Sequence, residues 1–141
     1  MQNKVYWSAV GAYVLCTFLI AAPWHLVFFK PLYDELAIFT RKEPLIPLGL
    51  VSMLMQGLVL SYLYPLFAQG RHSLKTGAAF GLLMGVLLAS SAVFAEAGKQ
   101  NVTSLSTWLA LESSYYLFQF TVVGAVIGSI YARGEPAHGL R

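Results

Sequence analysis

Residues Val5 to Phe29 read VYWSAVGAYVLCTFLIAAPWHLVFF, with no Asp, Glu, Lys or Arg and with His25 as the one clearly polar side chain. At about 1.5 Å of rise per residue this stretch makes a helix roughly 37 Å long, enough to cross a hydrocarbon core of about 30 Å with some tilt. It is too long for the apolar core of a cleaved signal peptide, about 7–15 residues. Pro23, after the small pair Ala21-Ala22, also disfavours cleavage, so the segment is expected to stay on the chain.

Three further apolar runs come after it, at about 45–68, 74–98 and 105–132. Inside lipid, only helices and closed barrels satisfy every backbone polar group. None of the runs alternates with period two, so helices are expected rather than strands. The breaks carry helix punctuation. Lys30-Pro31 ends the first run, and Pro44 and Pro47 fall in the opening turn of the second, where a missing N–H costs least. Pro65 and Gly70 close the second run, while Asn101 and Ser104 precede the fourth. The expected fold is all-α: one transmembrane domain over residues 1–141, an integral membrane four-helix bundle.

Composition agrees. Of 141 residues, 57% are apolar and 11% charged, against about 25% charged in a typical globular protein. The formal charge is +3. The basic residues lie in short segments between apolar runs, so they read as topology determinants or lipid headgroup contacts rather than a nucleic-acid surface. The single cysteine, Cys16, can form neither an internal disulfide nor a Cys-x-x-Cys pair, and reads as an apolar packing residue.

The first connection, Lys30 to Pro44, carries Leu32, Leu36 and Phe39 at helical spacing, with Asp34 and Glu35 early and Arg41 and Lys42 late. That charge order suits a helix dipole, and a short interfacial helix is expected between spans one and two. Four spans place both termini on one side. Lys4, Arg71, Lys75, Arg133 and Arg141 lie there, against Lys30, Arg41, Lys42 and Lys99 opposite. The positive-inside rule then puts both termini in the cytoplasm.

Helices in lipid associate through close backbone approach and polar contacts. The third run repeats a small residue every fourth position, Gly77, Gly81, Gly85 and Ala89; the fourth carries Gly124, Gly128 and Ala132. These strips either pack the four helices together or offer a glycine face to a second copy. Tyr6, Trp7, Trp24, Tyr62, Tyr64, Trp108 and Tyr131 fall near the span ends, where amphipathic rings anchor helices at headgroup level.

Ionisable groups at bilayer depth are expensive and mark candidate sites. Glu112 opens a polar stripe on the fourth span, with Tyr115, Tyr116 and Gln119 at offsets of three, four and seven. Glu96 falls on the extrapolated glycine face of the third span, within reach of Lys99. His25 comes just after the Pro23 kink, and Gln56 lies in mid-span. Topology brings the ends of spans one and three and the start of span four to one membrane face. His25, Glu96 and Glu112 are thus expected to be able to converge, as a metal or cofactor site or a proton relay. The alternative is that each is satisfied locally. No phosphate loop, His-Glu-x-x-His or nucleophile elbow is present, no cofactor is called for, and an enzyme is the least expected reading.

Pro23-Trp24-His25, Tyr33-Asp34-Glu35-Leu36, Glu43 through Gly49, Phe80 through Gly85 and Ala110-Leu111-Glu112-Ser113 together resemble small four-span bacterial membrane proteins classed as domains of unknown function. The resemblance covers nearly the whole chain. It implies a bacterial inner-membrane location and a four-helix fold, and no site. Three functions stay open: an oligomeric or accessory subunit held by glycine faces, a proton- or cation-coupled transporter lined by Glu112, Glu96 and Gln119, and the metal or cofactor site.

Overall fold

In a computed structural model, which describes residues 2–38, 41 and 43–134, the chain is helical, with no strand among the described residues. Helix α1 covers Gln2–Pro23 and continues through a π-helical turn, Trp24–Phe28. Helix α2 is Lys30–Leu36 and α3 is Ile46–Ala68. Helix α4, Leu74–Ala89, runs into a second π-helical turn, Ser90–Ala95, and α5 is Leu105–Gly134. Expectations for Phe39, Lys42 and the tail beyond Gly134 lie outside the described residues.

Four units, Asn3–Phe28, Ile46–Ala68, Leu74–Ala95 and Leu105–Gly134, are long and apolar enough to cross a membrane. Even the shortest, of 22 residues, reaches about 33 Å against a core of about 30 Å. The protein is a multi-pass membrane protein built as a four-helix bundle, and the punctuation works as the sequence implies. Proline sits in the first turn of both α2 and α3. The Ser73 hydroxyl caps α4 by accepting from the Thr76 N–H at 3.0 Å. The turn after α3 passes through left-handed Gln69 (φ 48°) and Gly70 (φ 79°).

Helices α4 and α5 share the largest interface; α1 packs on both α5 and α3. The α4–α5 contact is built on glycine. A Cβ on Gly77 would stand 2.9 Å from the Gly128 Cα, and one on Gly81 3.0 Å from the Gly124 Cα. One on Gly85 would meet the Tyr116 carbonyl oxygen at 3.0 Å. The two glycine strips are therefore occupied by each other within one chain. A second copy would have to displace α5 to use the α4 strip.

Two apolar clusters fill the bundle. One contains Tyr13, Leu60, Tyr64, Phe80, Phe120, Val123 and Ile127. The other contains Tyr33, Leu36, Val93, Trp108 and Leu111. Half-buried Cys16 packs against the first, as expected. Of the expected aromatic anchors, Trp7 and Tyr62 are exposed, but Tyr64 and Trp108 are buried. The Trp108 indole N–H donates to the Val93 carbonyl at 3.2 Å, in the second π-helical turn.

The short helix α2 is present. Its buried residues are Tyr33 and Leu36, while Leu32 is half-buried against the same cluster. It ends at Ala37, whose φ of 55° is left-handed. Thr103, from the α4–α5 connection, ties down that end: its hydroxyl donates to the Glu35 carbonyl at 2.7 Å and its N–H to the Leu36 carbonyl at 3.3 Å. Orphan carbonyls of a helix end are thereby satisfied, and α2 is held so that Tyr33 points into the bundle.

Candidate functional site

Three elements meet around Glu112. Proline removes a helix donor and its ring crowds the carbonyl of the preceding turn, and directly after Pro23 the backbone widens into the π-helical turn that carries His25. Such turns re-aim side chains and recur at functional sites. Helix α2 supplies Tyr33, and the second turn of α5 supplies Glu112, whose side chain is 5% exposed.

The Tyr33 hydroxyl donates to Glu112 Oε1, and the Trp24 indole N–H donates to the Tyr33 oxygen at 3.2 Å. Burial, and after it the Glu112 carboxyl, holds the Tyr33 phenol well above its ordinary pKa, so it stays a neutral donor. His25 Nε2 lies 3.3 Å from the same Glu112 Oε1, and Nδ1 lies 3.1 Å from the Ala21 carbonyl oxygen. The His25 ring stacks on Tyr33, with centroids 4.9 Å apart, and meets the edge of Tyr115 at 4.4 Å.

This geometry fixes the proton count. A carbonyl oxygen only accepts, so Nδ1 carries a hydrogen. The contact between Nε2 and Oε1 then needs one further proton. On Nε2 it makes an imidazolium–carboxylate pair; on Glu112 it makes a neutral acid donating to a neutral ring. Both forms carry zero net charge, so the pair can shift a proton internally without placing a net charge in the low-dielectric interior. Glu112 Oε2 makes no hydrogen bond among the described residues.

Glu96 does not join them. It pairs with Lys99 at 3.7 Å, accepts from Gln100 at 3.0 Å, and its side chain is 41% exposed. The offsets that placed it on the glycine face assume an unbroken α-helix. The π-helical turn at Ser90–Ala95 adds a residue and swings the downstream residues by about 100°. Among the described residues no group of three or more His, Cys, Asp or Glu gathers as metal ligands. The His25–Glu96–Glu112 triad is thus corrected to a His25–Glu112–Tyr33 centre.

The polar stripe of α5 does face inward. Glu112, Tyr115 and Gln119 are buried, while half-buried Tyr116 stacks on Phe120. Gln119 Oε1 has no hydrogen-bond partner among the described residues. Gln56 belongs to a separate group, accepting from the Tyr13 hydroxyl at 2.6 Å and donating to Ser52 at 3.2 Å. Trp24, read from the sequence as an interfacial anchor, and Tyr33 are residues of this centre that the sequence does not mark as site residues. The only sequence signal for Tyr33 is its i,i+3 spacing to Leu36, which puts both on one face of α2.

Comparison with known proteins finds no matching family model, no similar curated protein and no similar solved structure. The resemblance to four-span bacterial proteins rests on the sequence motifs alone.

Proposed function

We propose that this membrane protein is a non-enzymatic, proton-coupled carrier that takes up and releases a proton at His25–Glu112 as its cargo moves. One observation carries the reading: a buried carboxyl inside the bilayer, bonded by a histidine and a tyrosine from two other elements, so that two titratable groups share one proton position. Buried ion pairs are poor sources of stability, so a purely structural role is weakly motivated. Gln119, about 10 Å further along the same face of α5, extends the polar line towards the opposite surface. With both termini cytoplasmic in a bacterial inner membrane, as the basic-residue count favours, His25–Glu112 stands nearer the outer face.

The test is infrared difference spectroscopy on the purified protein in lipid. A pH step is expected to change a protonated-carboxyl band that Glu112→Gln abolishes. A spectrum without that band, or one unchanged by the substitution, rules the reading out.

A second reading, an oligomeric or accessory subunit, is favoured by a different strip. Ser106, Ala110 and Ser114 are exposed on α5 at four-residue spacing and line a concavity of ≈ 580 Å³ beside Trp24 and Phe29. Small residues at that spacing admit a neighbouring helix. Ala110→Cys, in a Cys16→Ser background, is expected to crosslink as a dimer in membranes. Monomer alone at every oxidant concentration excludes that face.

A further inference from the structure

Helix α3 contains Pro65, one turn after Ser61. In a continuous helix the N–H at position 65 would donate to the Ser61 carbonyl, and proline has none. Within hydrocarbon no water replaces that donor, so a neighbouring span must. Tyr131, in the last turn of α5, does so: its hydroxyl donates to the Ser61 carbonyl oxygen at 2.7 Å. The Tyr6 hydroxyl of α1 donates to the Leu58 carbonyl of the same helix at 3.1 Å. The Tyr131 ring also packs against Tyr64 and His72, with centroids 5.3 and 5.4 Å away. Two tyrosines, from α1 and α5, thus fasten α3 at the end of the bundle where α1 begins and α5 finishes. Behind this closure lie two polar side chains with nothing to bond. Ser61 is 0% exposed and Gln119 2%, and neither Ser61 Oγ nor Gln119 Oε1 has a hydrogen-bond partner among the described residues. Tyr13 packs on Gly57 and lies beside Phe120, which sets Gln119 about one helical turn from Ser61 along the bundle. Buried polar groups are unfavourable while dry, and water reaching them would relieve both. They prolong the line that starts at Glu112.

We propose that the Tyr131–Ser61 bond is the inner gate of the carrier: it opens as α3 bends at Pro65, and admits water to Ser61 and Gln119 on the way to the His25–Glu112 pair. The bond suits a gate because the Ser61 carbonyl has a partner in both states, the Tyr131 phenol when closed and water when open. An unbroken helix would hold that carbonyl by its own amide throughout and would resist bending there. Proline removes the amide and is a usual cause of a helix kink. The buried stripe Gly57, Leu60, Ser61 and Tyr64 is the wall that moves. The purpose of the gate rests on the proton-carrier reading above; the bond and the break in α3 do not.

The experiment follows modification of Ser61→Cys by a charged maleimide, in a Cys16→Ser background and in lipid nanodiscs, where both faces are reachable. Gln119→Cys is a second reporter one turn deeper. Val93→Cys, at a fully buried position in the other apolar cluster, is the control. Tyr131→Phe deprives only the closed state of its bond, and is expected to raise the modification rate of both reporters about tenfold. The control stays unmodified. Pro65→Ala returns an amide to the Ser61 carbonyl and removes the bend. Alone it is expected to slow both reporters below the parent rate, and combined with Tyr131→Phe to cancel the increase. Rates that ignore both substitutions overturn the gate. So does an increase that survives Pro65→Ala, or one that the Val93→Cys control shares, since that is general loosening. Gated rates in a protein whose Glu112 band ignores pH support the opening and reject the proton reading. A titrating Glu112 band with rates blind to Tyr131 does the reverse, so the two fail separately.

Discussion

The Tyr33 hydroxyl donates to Glu112 Oε1 across 79 residues of chain, joining the seven-residue α2 to the second turn of the longest span. That bond closes the end of the bundle over the carboxyl. It also leaves His25 as the group with which Glu112 can exchange a proton while Tyr33 stays a neutral donor.

A double-mutant cycle measures this bond. Tyr33→Phe and Glu112→Gln each remove part of it with little change of shape. Hydrogen bonds inside membranes average about 0.6 kcal/mol, and those to charged groups reach about 1.5–3 kcal/mol. A coupling of about 1–2 kcal/mol in reversible detergent unfolding is expected. Strict additivity of the two substitutions would contradict the geometry.

Alkaline pH should weaken the protein partly through Tyr33. Its folded pKa is raised, chiefly by burial, so the native state holds the phenol proton more tightly than the unfolded chain. That contribution is complete below about pH 10, the unfolded value, and falls as pH rises above it. Tyr33→Phe should therefore lose less stability than the parent between neutral and strongly alkaline pH. The remaining tyrosines are common to both proteins, so the difference isolates this one. A steeper decline in the variant would refute the assignment.

Two glycines should respond in opposite senses to the same change. Gly81→Ala drives a methyl into the α5 backbone at Phe120 and Gly124, and is expected to destabilise by about 1–3 kcal/mol. Gly49→Ala places its methyl in open space, and is expected to be neutral or to stabilise by up to about 1 kcal/mol. Thermal unfolding in one detergent compares them. Equal effects would mean that the α4–α5 contact is not glycine-tight.

Ala37 holds a left-handed φ of 55° at the end of α2. A side-chain Cβ is strained there by about 1–2 kcal/mol, part of which glycine recovers before its own entropy cost. Ala37→Gly should therefore raise stability by about 0.5–1 kcal/mol. It should also slow amide exchange over Tyr33–Leu36. A loss of protection in that segment would show that α2 ends differently.

Much of the architecture was readable without coordinates, because it depends on contiguous residues. Whether a stretch spans a bilayer is decided by its own apolarity and length, and where it breaks by its own Pro, Gly and Ser. Hence the four spans and the Pro47 boundary were legible in Val5–Phe29 and its counterparts. The inward face of α5, with Glu112, Tyr115 and Gln119, was legible too, because α5 keeps an unbroken helical period.

Tertiary structure alone decided which groups meet. Gly81 and Gly49 are the same residue in similar apolar settings, yet one is locked against α5 and the other faces open space, because only packing supplies a neighbour. Glu96 left the glycine face because a π-helical turn shifts phase by a residue, and no local residue pattern marks where helix packing will favour that shift. His25, Tyr33 and Glu112 lie in three elements, and a hydrogen bond between them depends on how those elements dock, a long-range property that spacing along the chain does not encode.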